Sequence, residues 1–76
     1  MFEKTYKKKV YIEGMSCEHC AKRVESKLKQ LTNVKSVKVN SSEKVANIHA
    51  TAILSNDIIV DAIHELGYDV IDIKEM

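Results

Sequence analysis

Two cysteines with two residues between them, Cys17 and Cys20, carry the most pointed chemistry in this 76-residue chain, and it has no others. They stand in the run Gly14-Met15-Ser16-Cys17-Glu18-His19-Cys20. Thiolate sulfur is both a soft ligand and a nucleophile, so such a pair either grips a soft ion or exchanges with disulfides. Two sulfurs satisfy Cu(I) or Hg(II), whereas Zn(II) asks for four ligands. The pair by itself therefore leaves Cu(I) and Hg(II) open, with Zn(II) as an ion it would also take in vitro. His19 lies between the sulfurs as a third candidate, but a helix starting here points it away from both, and it reads as a solvent-facing spacer. Met15 is soft and adjacent, yet methionine more often fills irregular gaps in a core. His49 and His64 are fifteen residues apart, which fits no compact zinc finger, and they read as surface residues.

The elements that hold this loop follow from hydrophobic periodicity. Lys8 to Glu13 alternates, with Val10 and Ile12 on one face, and Gly14 ends that strand. From Cys20 the spacing turns helical through Ala21, Val24, Leu28 and Leu31. Ser16 is the expected N-cap, Glu18 suits the positive end of the helix dipole, and Thr32-Asn33 closes the helix near Leu31. The dipole at that end also favours the thiolate form of a cysteine in the first turn. Val37 and Val39 mark a second strand, Ser41-Ser42-Glu43 a turn, and Lys44 to Thr51 a third strand paired with the second as a hairpin. Its phase is ambiguous: Ala46, Ile48 and Ala50 share one face, while Val45 lies with Asn47 and His49 on the other. Ser55 caps a second helix with the stripe Ile59, Ala62, Ile63 and Leu66, and Gly67 is its C′ residue. Tyr68 to Ile73 reads as a fourth strand with Val70, Ile71 and Ile73.

The order is βαββαβ, which predicts a ferredoxin-like α+β sandwich: a four-stranded antiparallel sheet with both helices on one face. Right-handed crossovers put the first and third strands in the middle. Linkers, low-complexity tracts and repeats are absent from the sequence, so residues 1–76 read as one domain. Seventy-six residues give a modest core and argue for a surface site over a deep cleft. No apolar stretch approaches the roughly 20 residues of a membrane span, and Met1 to Lys9 lacks the apolar run of a signal peptide. Direct membrane insertion is therefore not expected, and a cytoplasmic location is. The net charge of +1 conceals an uneven split. Residues 1–38 hold ten Lys/Arg against four Asp/Glu, and residues 39–76 hold two against seven. Lys22, Arg23 and Lys27 follow the cysteines and either dock an acidic partner or simply solvate the helix.

With topology and loop in place, the chain resembles the heavy-metal-associated domains, whose loop reads G-M-x-C-x-x-C. Their fold is that of cytosolic copper chaperones and of the N-terminal domains of copper-transporting P-type ATPases. The resemblance extends to Gly67-Tyr68-Asp69-Val70 and is greatest to the bacterial stand-alone chaperones. It implies Cu(I) held by Cys17 and Cys20 and passed to a partner with the same motif, such as a P-type ATPase metal-binding domain. It also implies that Met15 tucks under the loop and that Tyr68 shields the site; the alternative for Tyr68 is plain packing at the core edge. Zinc-preferring relatives tend to carry an acidic residue where this chain has Ser16, which favours copper. A monomer without metal, or a metal-bridged dimer with it, is the expected state.

Two other readings compete. A thiol–disulfide redox protein also uses Cys-x-x-Cys before a helix, but the thioredoxin-like proteins share a proline beside the site, and this chain has none. An RNA-binding domain of the same order stacks bases on central-strand aromatics; Tyr11 is available, but the third strand has none, so nucleic acid is not expected. No Ser/His/Asp set or carboxylate pair gathers at the loop, and a binding protein is the expectation over an enzyme.

Overall fold

The computed structural model describes residues 6–15 and 17–75. Its elements are β1 (Tyr6–Glu13), α1 (Glu18–Lys29), β2 (Val34–Asn40), β3 (Val45–Ala50), α2 (Asn56–Glu65) and β4 (Asp69–Glu75). The strands form one antiparallel sheet in the order β2-β3-β1-β4, so β1 and β3 occupy the middle. This is the ferredoxin-like βαββαβ layout. The two helices pack against each other, with α1 mainly on β2 and α2 on β4.

Alternation sorts the sheet into two faces. Val10 and Ile12 of β1, Val37 of β2, and Ala46, Ile48 and Ala50 of β3 face the helices and are buried. They meet Val24 and Leu28 from α1 and Ile59, Ala62 and Ile63 from α2. Burying each of the larger of these side chains contributes roughly 1.5–3 kcal/mol. The ambiguous phase of β3 is thereby resolved: Ala46, Ile48 and Ala50 point inward. Val45, on the other face, is also buried, at 2% exposure, and stands in register opposite Tyr11 and Asn40.

Several boundaries differ from the sequence expectation. Helix α1 ends at Lys29, and Leu31 lies in the following turn, where its N–H reaches the Leu28 carbonyl. Asn33 then takes φ +70°, a left-handed turn that asparagine tolerates well. The N-cap of α1 is Cys17, not Ser16, which falls outside the described residues. Ser55 caps α2 as expected, its hydroxyl accepting from the Asp57 N–H, and Gly67 follows at φ +88°. Strand β4 starts after Tyr68 and carries a bulge: Tyr11 pairs with Asp72 but Ile12 pairs with Val70, so Ile71 is the extra residue. Ile71 is 62% exposed and does not join the core beside Val70 and Ile73.

Lysine 8 is the unexpected core element. It shares the inward face of β1 with Val10 and Ile12 and is 6% exposed. Its ammonium donates to the Leu54 carbonyl at 2.6 Å and to Asn56 Oδ1 at 2.7 Å, and pairs with Glu75 at 3.6 Å. A buried cation is tolerable only when paired and bonded in this way.

Candidate metal centre

The sulfur-bearing loop leaves β1 through Gly14, which takes φ +97°. A side chain at that position would be strained by the backbone angle alone. It would also meet a ring: a Cβ built there lies 3.2 Å from Tyr68 Cδ1. Met15 then turns into the protein and is fully buried in the core, which anchors the loop from beneath. Its thioether thus packs as the gap-filling expectation had it.

Cys17 is exposed, and Cys20, in the first turn of α1, is half-buried. The Cys17 thiol points at Cys20 Sγ at 3.2 Å, well beyond the roughly 2.0 Å of a disulfide. Cys17 adopts extended backbone (φ −148°, ψ 169°), and its sulfur accepts the Cys20 N–H at 3.5 Å. One sulfur thus caps the helix while facing the other. The unpaired amides at this end favour an anionic ligand set.

Tyr68 arrives from the turn after α2 and packs against the core edge beside the loop. Its phenol is hydrogen-bonded to Cys20, and that bond holds its pKa above the ordinary tyrosine value. Partial burial and the negative charge available to Cys20 and Cys17 push in the same direction, while the nearby Arg23 guanidinium opposes them. His19 is exposed. Among the described residues no group of three or more His, Cys, Asp or Glu converges to hold an ion. The described residues bring two sulfurs together here, a number that suits Cu(I) or Hg(II) better than a four-ligand Zn(II) site.

The other candidates divide. Lys22 and Arg23 are exposed on α1, while Lys27 is ion-paired with Glu65 of α2. His64 is exposed near the start of β4, 3.7 Å from Asp69, and His49 is half-buried on the far face of the sheet. Two features were missed from sequence: the Gly14–Tyr68 contact and the proximity of Arg23 to Tyr68. The signal for the second was available, since Arg23 lies one helical turn after Cys20 on the same side.

The sequence pattern of the heavy-metal-associated domain matches residues 9–69. The chain belongs to this family. A copper chaperone CopZ of Bacillus subtilis is 43% identical over 65 residues, which covers 83% of this chain and 93% of that protein. A copper-transporting ATPase of Helicobacter pylori is 40% identical over 63 residues, covering 82% of this chain but 8% of the ATPase. Among solved structures, a CopZ metallochaperone superposes with a TM-score of 0.79 at 33% identity, covering 86% of this chain and 98% of that one. Among the described residues no helix is long and apolar enough to cross a membrane.

Proposed function

We propose that this chain is a cytoplasmic copper chaperone, a single heavy-metal-associated domain over residues 1–76. It takes Cu(I) between Cys17 and Cys20 and hands it by thiolate exchange to the metal-binding domain of a copper-transporting P-type ATPase. The observation that carries this reading is the pair of sulfurs 3.2 Å apart at an open helix N-terminus, one exposed and one half-buried. The relatives named copper chaperones match nearly end to end, which supports the same role here.

The two sulfurs have unequal parts in transfer. Cys17, exposed at the cap position, is the one an incoming partner thiolate can reach and replace. Cys20, set in the helix and bonded to Tyr68, keeps its grip until the partner supplies a second sulfur. The ion is never left with fewer than two ligands, so transfer proceeds without an aqueous intermediate. Lys22 and Arg23 flank the loop and would meet an acidic partner surface. A second reading, the metal-binding domain of a transporting ATPase, is supported by the Helicobacter match.

A competition titration of Cu(I) and Zn(II) against a chelator of known affinity, under reducing conditions, tests the proposal. One Cu(I) per chain, bound in preference to Zn(II) and lost on cysteine alkylation, is expected. Equal Cu(I) uptake by the alkylated protein would overturn the site assignment.

A further inference from the structure

Lysines gather on the sheet face that no helix covers. In the antiparallel register Lys38 stands beside Asn47, Asn47 beside Lys9, and Lys9 directly opposite Lys74. The next row on that face sets Ser36 beside His49 and His49 opposite Lys7. Neither row includes an Asp or Glu among the described residues, whereas the rows nearer the loop set Asp72 opposite Tyr11 and Asp69 opposite Glu13. The positive charge is thus confined to the end of the face away from the cysteines. Like charges directly opposite one another destabilise a sheet, so the Lys9–Lys74 pairing is a local liability. Tyr11 relieves part of it, with the Lys9 and Lys74 ammonium groups 5.9 Å and 5.5 Å from its ring centroid. An anionic surface lying against the face would relieve the rest.

We infer that the lysine-bearing end of this sheet face, away from the loop, docks on an anionic lipid surface, held by Lys7, Lys9, Lys38 and Lys74 without insertion. The array is two-dimensional: four strand positions span about 14 Å across the sheet, and the second row lies about 7 Å along it. A plane of headgroups meets all four charges at once. A single nucleic-acid strand would need open aromatic faces for its bases. On this face Tyr11 already carries two ammonium groups, and β3 offers Val45, Asn47 and His49. Docking leaves the loop clear, because Gly14 lies about 16 Å along the chain from Lys9. The inference goes beyond the copper reading and does not depend on it.

The test uses metal-free protein and sedimentation with vesicles of phosphatidylcholine alone or of an equal mixture with phosphatidylglycerol. Binding is expected to the mixed vesicles only, and it should fade as salt is raised. Each lysine near such a surface strengthens binding about fivefold, so Lys9→Gln/Lys38→Gln/Lys74→Gln should weaken it about a hundredfold. The helix-layer variant Lys22→Gln/Arg23→Gln should bind as wild type does. Three results would each overturn the inference: no partition to mixed vesicles, equal loss in both variants, or preference for an oligothymidylate that displaces the protein from vesicles.

Discussion

At Cys17 one sulfur accepts the Cys20 N–H and faces Cys20 Sγ, so a serine there separates two roles. Serine is a strong N-cap, and Cys17→Ser should keep α1 and its stability. It should still lower Cu(I) affinity by more than about a hundredfold, beyond the 10–100-fold usual for changes outside the ligand set. Cys20→Ser should do the same, and chelator competition reads both. Tyr68 supplies a second residue-scale expectation. Its raised pKa in the metal-free fold means that the neutral phenol is the favoured form. The stability it contributes is present below the ordinary tyrosine pKa and is lost as pH rises through the raised folded value. An absorbance titration should show late ionisation that Tyr68→Phe removes. The closeness of the two sulfurs was legible in the sequence because an N-cap residue and one three places on, in the first helical turn, meet by local geometry alone. The Gly14–Tyr68 contact was not, because the return of the chain from α2 creates it.

Elements were legible where one face of a strand or helix is apolar, and misjudged where tertiary contacts redefine what a face can hold. The stripe of α2 and its Ser55 cap needed only periodicity and capping. The third strand resisted because both its faces bury residues: Ala46 and Ile48 under the helices, and Val45 on the outer face, in register with Tyr11 and Asn40. Lys8 has the polarity of a surface residue and the phase of a core one. Its place depends on acceptors at Leu54 and Asn56, which no local pattern announces. It ties β1 to the start of α2. Lys8→Met keeps most of the buried volume and removes both hydrogen bonds. It should cost about 3 kcal/mol in urea unfolding, the low end for two hydrogen bonds to a charged group at about 1.5–3 kcal/mol each, and leave Cu(I) affinity unchanged.

Across the whole molecule the uneven charge of the two halves becomes a division between two sides. Helix α1 and β2 hold Lys22, Arg23, Lys27, Lys29, Lys35 and Lys38 against Glu18 and Glu25. Helix α2 and β4 hold Asp57, Asp61, Glu65, Asp69, Asp72 and Glu75 against Lys74. The sheet order puts β2 and β4 at opposite edges, so the charges part company. Transfer to an acidic partner domain should therefore slow when Lys22 and Arg23 are both changed to Glu, with Cu(I) affinity nearly unchanged. The difference should shrink as salt is raised, since such steering acts over about 8 Å at physiological ionic strength. Lys27 is left in place in that variant because it holds Glu65. The core runs through all six elements and takes only Met15 from the described part of the loop. The metal-free protein should therefore keep a folded circular dichroism spectrum, unlike a zinc finger stripped of its ion. One further consequence lies in the pairing of Lys8 with Glu75 across β1 and β4. The outermost turns of those strands are neighbours at the pole away from the cysteines. A linker attached at that pole would tether the molecule to a solid support with both thiols still turned to the solution.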